Sequence, residues 1–146
     1  MNQLPDENQK RFVAVISKKV EVGRAVNIVG HLSVSLANQL SDGDAVYNDY
    51  NDYHDLDDNV HPNISHYPFI VLRSDNSNKI RKLRQEALDK SIPFSDFTHT
   101  MVEGGSEVQQ QTTKNTLEAE LEYLGICLFG ETETLRELTK KFSLYR

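Results

Sequence analysis

The stretch FVAVI, residues 12–16, is a short run in which every side chain is apolar. Runs of about four to eight such residues are typical of a β-strand that is buried on both faces of its sheet. YPFIVL (67–72) is a second such run, and LEYLGICLF (121–129) is a third strand-like run, interrupted only by Glu122 near its start. Because such strands need covering layers, the three runs predict an α/β protein whose helices flank a sheet.

Helical patterns alternate with these runs. After Gly23, apolar side chains recur at spacings of three and four, as in the stripe of an amphipathic helix. The members of the stripe are Ala25, Val29, Leu32, Leu36 and Leu40. A second helix is predicted from about Asn78 to Lys90, with Asp75, Asn76 and Ser77 as candidate N-caps. Its expected inward side chains are Ile80, Leu83, Ala87 and Leu88.

Four further segments complete the predicted order. Residues 94–101 favour a third strand, because Phe94 and Phe97 stand among polar neighbours. The polar stretch after Gly104 favours a helix with a thin apolar face. Thr132 is expected to cap a last helix, and residues 142–145 could add a short closing strand. Strands that alternate with helices of about 10–15 residues again indicate an α/β fold.

The composition restricts the class of protein. A chain of 146 residues corresponds to about one domain. No apolar run approaches the roughly 18 residues of a membrane span, and residues 1–9 lack the apolar stretch of a secretory signal. The single cysteine, Cys127, excludes a disulfide framework and is expected in the core. The net charge of −6 and a pI near 5.3 argue against an RNA-binding protein. Taken together, these features predict a cytoplasmic protein that does not bind RNA.

One segment differs in kind from the rest. No lysine or arginine occurs between Arg24 and Arg73, whereas seven aspartates do. This composition predicts an exposed acidic, Tyr/Asp-rich loop at about residues 42–66. The domain prediction is therefore a flexible tail at 1–10 and a single domain at 11–146 that carries the loop. The loop holds three histidines, but their spacing matches no metal template, so we predict no metal and no cofactor.

A basic cluster lies on the second predicted helix. Its members are Lys79, Arg81, Lys82 and Arg84. Such a cluster could contact phosphates. The overall acidity of the chain favours the ordinary alternative, a charged helix face in contact with water.

The order of these elements and the residues between them resemble a known superfamily. The matching residues are 13–16, Gly23, Arg24, Asn27, Ile64, 68–72, 92–94, Phe97, Thr98, Leu124, Gly125, Phe129, Gly130, Leu138, Thr139 and 142–146. This set resembles the peptidyl-tRNA hydrolase II-like superfamily and, more closely, a bacterial family of unknown function placed within it. The resemblance spans about residues 11–146. It implies a three-layer sandwich with a mixed sheet of about four strands between helices.

Two positions depart from the pattern of that superfamily. Peptidyl-tRNA hydrolases II carry a lysine near the start of the first helix and an aspartate at the end of the third strand. The corresponding positions here are Val26 and His99. Valine cannot donate a proton, bind a phosphate or stabilise an oxyanion. The resemblance therefore carries over the fold and the place of the cleft, but not the activity.

Two candidate ligand sites follow strands of the predicted sheet. Gly23 and Arg24 precede a helix whose free amides favour an anion, and Asn27 lies one turn further on. Thr98, His99 and Thr100 come at a strand end, where ligands of α/β sheets gather, and His99 is the candidate general base. In each case the alternative is an ordinary surface turn or strand end.

A third candidate is the sequence Gly104-Gly105-Ser106. A glycine pair lets a ligand approach the backbone, and Ser106 could cap the following helix. The alternative is a flexible turn with a cap. We expect Arg24, Asn27, His99 and Ser106 to converge on one cleft.

Three functions remain open at this point. The sequence favours binding of a small anion or nucleotide, with hydrolysis of an unidentified substrate as an added activity. The alternative is a non-catalytic interaction module or homodimer that uses the Tyr/Asp-rich loop as its contact. Authentic peptidyl-tRNA hydrolysis is the least favoured, because it rests on the resemblance alone.

Overall fold

The computed structural model describes residues 6–41 and 52–146. Within these ranges the elements alternate between strands and helices. In chain order they are β1 (Lys10–Ser17), α1 (Val22–Ser41), β2 (Tyr53–His54), β3 (Val60–His61), β4 (Phe69–Ser74), α2 (Ser77–Asp89), β5 (Phe94–Thr98), α3 (Ser106–Lys114), β6 (Tyr123–Glu131), α4 (Thr132–Thr139) and β7 (Ser143–Leu144). Short 3-10 turns cover His99–Met101 and Glu118–Glu120. No helix of the described ranges is long and apolar enough to cross a membrane.

The central sheet has five strands in the order β5-β6-β1-β4-β7. β1 runs parallel to β4 and antiparallel to β6. β5 and β7 are the antiparallel strands at the two edges. The sheet therefore has one strand more than the predicted four, because the closing strand at Ser143–Leu144 does form and pairs with β4.

Helices cover both faces of this sheet. Phe12, Ala14 and Ile16 of β1 pack in the cluster that contains the buried stripe of α1. Val13 and Val15 pack on the other face, with buried side chains of α2 and α4. The prediction that FVAVI is buried on both faces is thus confirmed. Cys127 is fully buried in the first cluster, and this burial raises the pKa of its thiol to about 12.

The helix stripes differ in detail from the predicted ones. In α1 the buried positions are Ala25, Leu32, Leu36 and Leu40, as predicted, together with Ile28, whereas Val29 is only partly buried. In α2 the expected inward position of Leu88 is wrong. Its side chain is 47% exposed, because Ile80, Leu83 and Ala87 already form the buried stripe and Leu88 lies about 100° further round the helix. The Asn76 cap is confirmed, since its side chain accepts the Lys79 amide at 2.9 Å.

The third predicted strand is shorter than expected. It ends at Thr98, and His99–Met101 form a 3-10 turn instead of continuing the strand. In this turn the Sδ atom of Met101 lies 3.5 Å from the Thr98 amide, which donates to it. The chain therefore folds back at the end of β5 instead of extending the sheet.

The start of α4 also differs from the prediction. Glu131 is the N-cap residue, and Thr132 is the first helical residue, so Thr132 does not cap the helix. Its hydroxyl instead donates to the carbonyl of Asn8 at 2.6 Å, and its amide donates to Gln9 at 3.0 Å. The predicted tail at 1–10 thus differs from the structure, because Asn8 and Gln9 are bonded to α4 and Lys10 opens β1. Residues 1–5 lie outside the described ranges.

The described part of the acidic loop is a small hairpin. β2 and β3 pair with each other, and their side chains are exposed. Asp55 closes the turn, because its carboxylate accepts from the Asn59 amide at 3.0 Å and lies 2.9 Å from His61 Nε2. The loop residues at 42–51 lie outside the described ranges. Among the described residues, no three His, Cys, Asp or Glu side chains come together as a metal site.

The basic cluster of α2 is not simply a face in contact with water. Arg81 bonds both carboxylate oxygens of Glu118 at 2.6 and 2.7 Å and the carbonyl of Leu121 at 2.6 Å. The hydrogen bond from Arg81 holds the pKa of Glu118 below its usual value. Arg84 bonds Asp96 of β5 at 2.8 Å. These two arginines tie α2 to the edge strand and to the segment that precedes β6.

Candidate functional site

A cleft of about 540 Å³ lies between α1, β5 and α3. Its lining residues are His31, Leu32, Ser35, Asp96, Phe97, Met101, Ser106 and Gln109. The apolar side chains among them come from α1, β5 and the 3-10 turn, and the uncharged polar ones and His31 from α1 and α3. Asp96 of β5 also lines the cleft, with its carboxylate bonded to Arg84 at 2.8 Å. Clefts for small-molecule ligands span roughly 300–1,000 Å³ and combine apolar surface with a few polar groups. The cleft therefore has the size and chemistry of a small-ligand site.

The α1 wall of the cleft is fixed to the edge strand by side-chain hydrogen bonds. The buried hydroxyl of Ser95 donates to the carbonyl of Leu32 at 2.7 Å. Further along, Gln39 Nε2 donates to the carbonyl of Phe94 at 2.9 Å. The ring of His31 lies with its centroid 6.1 Å from that of Phe97. Helix and strand are thus held together at three levels along the cleft.

The α3 wall is positioned by a chain of threonine hydroxyls. The Oγ1 atoms of Thr98 and Thr100 lie 2.7 Å apart, and Thr100 Oγ1 lies 2.7 Å from Thr113 Oγ1. Thr98 and Thr100 are buried, so their hydroxyls join the end of β5 to α3 within the protein. The prediction that these two threonines bind a ligand stays a prediction, and their observed contacts position the wall that carries Ser106.

The glycine pair before α3 sets the geometry of this wall. Gly104 has φ of +80°, a left-handed conformation that favours glycine, and an added Cβ would lie 3.0 Å from Val108. Gly105 is the N-cap residue of α3. The expectation that Ser106 caps the helix is therefore wrong, because Ser106 is its first residue. Its hydroxyl accepts from Gln110 Nε2 at 3.2 Å.

Arg24 and Asn27 lie on the exposed surface of α1, near its start. Steps of three and four residues lead from Arg24 through Asn27 and His31 to Ser35, so the four positions share one side of the helix. His31 and Ser35 line the cleft. Arg24 and Asn27 therefore extend the α1 wall toward the helix start. Within the described part of the chain, the Arg24 side chain makes no ion pair or hydrogen bond.

Gly23 is exposed in the first turn of α1. An added Cβ would meet no atom within 4 Å, so the local packing does not require a glycine there. The same holds for Gly105. Both positions leave the backbone open to a ligand, and their predicted role in binding stays a prediction.

His99 is turned toward the start of β6. Its Nδ1 atom accepts the Glu122 amide at 3.0 Å, and its own amide donates to the Glu122 carbonyl at 2.9 Å. This leaves Nε2 as the ring nitrogen that carries the proton in the neutral form. His99 is not among the residues that line the cleft, whereas Ser106 is. The structure therefore brings Ser106 together with α1, and the catalytic role of His99 stays a prediction.

Four polar residues of the cleft were not predicted from the sequence: His31, Ser35, Asp96 and Gln109. A signal for the first two was present, because they continue the series that starts at Arg24 and Asn27. Gln109 lies three residues after Ser106, which places both on one side of α3. Only the tertiary structure, in which Thr100 ties α3 to the end of β5 opposite α1, shows that the two polar sides line one cleft.

Comparison with known proteins agrees with the fold and adds no activity. A solved structure of a protein of unknown function from Agrobacterium tumefaciens is similar over 94% of this chain and 98% of its own, with a TM-score of 0.78 and 18% sequence identity. No curated protein matches the chain. The sequence profile of the DUF2000 proteins, described as proteins of unknown function, matches residues 10–146. Since this match covers almost the whole sequence, the chain belongs to the DUF2000 family.

Proposed function

We propose that this protein binds a small anionic ligand or a nucleotide in the cleft between α1, β5 and α3. The observation that carries the proposal is the combination of an apolar floor with polar walls in one cavity of about 540 Å³. An aromatic or aliphatic part of the ligand would lie on Phe97 and Met101. Its hydroxyl or carbonyl groups would bond Ser35, Ser106 and Gln109.

Arg24 would hold the charged end of the ligand. A guanidinium presents a planar fork that matches a carboxylate or phosphate group. The Arg24 side chain is exposed and has no internal partner in the described ranges, so binding breaks no ion pair there. Asn27, next along the same side of α1, would add a neutral hydrogen bond.

Hydrolysis of an unidentified substrate is an extension of this proposal. In the observed orientation Nδ1 accepts the Glu122 amide, so the neutral His99 ring would donate a proton from Nε2, and the general-base role would require His99 to release that amide. We place the fold in the peptidyl-tRNA hydrolase II-like superfamily, and the protein in the cytoplasm of a bacterium, on the sequence arguments above. Hydrolysis of peptidyl-tRNA itself is not proposed. Val26 has no ionisable group, and it lines an apolar groove with Val71 and Tyr145.

The test is a calorimetric titration of nucleoside monophosphates and of small dicarboxylates into the protein. We expect saturable binding of at least one of them to the wild type. Arg24→Ala should weaken it by about 10- to 100-fold, because a charge-assisted hydrogen bond contributes about 1.5–3 kcal/mol. Ser35→Trp should abolish it by filling the cleft.

The matched control for Ser35→Trp is Val34→Trp. Val34 is the neighbouring residue of α1, is 72% exposed and does not line the cleft. This variant should bind as the wild type does. Equal affinities of the wild type, Arg24→Ala and Ser35→Trp would overturn the proposal, as would the absence of binding by any probe.

A second candidate function, self-association, has its own supporting observation. Four large apolar side chains are exposed on the hairpin and the segment that follows it: Tyr53, Leu56, Val60 and Ile64. Because Tyr53 pairs with His61 and His54 with Val60, Tyr53 and Val60 lie on opposite faces of the hairpin, and each face offers apolar surface to a partner. We propose that this hairpin is the contact of a homodimer.

Sedimentation equilibrium tests this candidate. A dimer is expected to dissociate in Leu56→Asp, because a carboxylate buried in the contact would lose its water. Val34→Asp is the control, since it places the same charge on an exposed apolar position of α1, away from the hairpin. A wild type that stays monomeric at all concentrations, or a dimer that Leu56→Asp leaves intact, would contradict it.

A further inference from the structure

A second pocket lies at the edge where the two parallel strands of the sheet end. β1 and β4 are parallel neighbours. The chain leaves β1 for α1 on one face of the sheet and leaves β4 for α2 on the other face. In open α/β sheets, the point where neighbouring strands send their connections to opposite faces is where ligands gather. The pocket at this point, about 200 Å³ in volume, is therefore a place to look for a ligand.

The charges that line this pocket are almost all positive. Lys18 follows β1, Arg73 belongs to β4, Lys79 to α2, and Lys141 to the segment before β7. Asp75 is the one carboxylate among the lining residues. The lining thus carries a net charge of +3 at neutral pH, in a chain whose formal charge is −6. In a chain with a net negative charge, four positively charged side chains around one pocket are unexpected.

The carboxylate in the pocket neutralises only part of this charge. Lys79 Nζ lies 3.0 Å from Asp75 Oδ1, and this hydrogen bond, aided by Lys18, lowers the pKa of Asp75. Neither Lys18 nor Lys141 forms an ion pair within the described part of the chain. Lys18 acts on Asp75 only through space, and Lys141 Nζ lies 5.5 Å from the ring centroid of Phe142, so neither ammonium group is neutralised by a contact ion pair in the described ranges.

The guanidinium of Arg73 is held in place by one hydrogen bond, which leaves other donors of the group available. Its Nε atom donates to the hydroxyl of Ser143 at 3.2 Å, which ties β4 to β7. Its two terminal nitrogens make no hydrogen bond within the described ranges. A guanidinium with free terminal nitrogens can bond two oxygens of one phosphate. The hydroxyl of Ser143 can donate a hydrogen bond to a third oxygen of the same phosphate.

We propose that this pocket binds the phosphoryl group of a soluble small molecule. Three cations and a hydroxyl donor fit the charge and the oxygen atoms of a phosphate monoester or diphosphate. The small volume suits the phosphoryl group, with the remainder of the molecule outside. The pocket and the cleft share no lining residue, so this site is additional to the one proposed above.

The experiment is a calorimetric titration of inorganic pyrophosphate into the wild type, Lys141→Glu and Lys140→Glu. Lys140 is adjacent, exposed and paired with Glu137 at 2.7 Å, and it does not line the pocket. Both variants change the net charge equally. We expect saturable binding by the wild type that weakens as salt is added. Lys141→Glu should weaken binding by at least about tenfold, and Lys140→Glu by less than about threefold.

Two results would overturn the proposal. The first is the absence of saturable pyrophosphate binding, and the second is an equal loss in both variants, which would indicate a diffuse surface potential. A sedimentation assay with phosphatidic acid vesicles separates the two sources of a phosphate group. If the protein bound vesicles in a Lys141-dependent manner but did not bind pyrophosphate, the ligand would be a lipid headgroup and the proposal of a soluble ligand would be wrong.

Discussion

Replacing Leu83 with alanine is expected to lower the free energy of unfolding by about 2–5 kcal/mol, the usual cost of deleting a fully buried leucine side chain. Leu83 of α2 has no exposed surface and packs in the cluster between α2, α4 and the sheet. The cost combines the lost burial with the cavity that the neighbours cannot fill. Urea denaturation followed by circular dichroism measures it.

Leu88→Ala is the matched control, because it makes the same change on the same helix. Leu88 is 47% exposed, so its truncation should cost less than about 1 kcal/mol. A loss at Leu88 that equalled the loss at Leu83 would show that α2 is rotated relative to the sheet. It would also restore the sequence-based expectation that Leu88 points inward.

Gly125→Ala is expected to destabilise the fold by about 1–3 kcal/mol, the usual cost of inserting an atom into a packed core. Gly125 lies in β6 under α1. An added Cβ would lie 2.8 Å from the Cγ2 of Ile28, 3.1 Å from the Cδ1 of Ile16 and 3.2 Å from the Cδ1 of Leu32. All three neighbours are fully or almost fully buried, so they have little room to move.

The same substitution five residues later serves as the control for this prediction. At Gly130 an added Cβ would meet Leu135 and Ile92 at 3.6 Å and 3.8 Å, which are ordinary contacts. Gly130→Ala should therefore change the free energy of unfolding by no more than about 1 kcal/mol in either direction. If Gly125→Ala were as mild, Ile28 and Leu32 of α1 would have to lie farther from the added Cβ than 2.8 Å and 3.2 Å.

The sequence predicts the layers of this fold well, because burial on two faces leaves a direct signature. FVAVI has no polar position, and Cys127 stands between apolar neighbours in β6. The errors arise where a local pattern has two solutions. Leu88 is apolar beside a complete stripe, and Thr132 is a good N-cap type whose hydroxyl bonds Asn8 instead. Only tertiary contacts decide such cases.

The sites were less predictable than the fold. Single residues of the cleft, such as Ser106, could be proposed from their place after a strand. His31 and Gln109 come together only because α3 is anchored through Thr113 beside α1. The cationic pocket is an extreme case, since Lys18 and Lys141 are at opposite ends of the chain and no local pattern connects them.

The most direct measurement of the proposed function is amide chemical-shift mapping by NMR of the wild type during titration with the tightest-binding nucleotide or dicarboxylate. We expect the perturbed amides to cluster at His31, Ser35, Phe97, Ser106 and Gln109, with Arg24 and Asn27 at one end of the patch. Perturbations confined to the hairpin at 53–64 or to the pocket around Lys141, with the cleft unchanged, would contradict it.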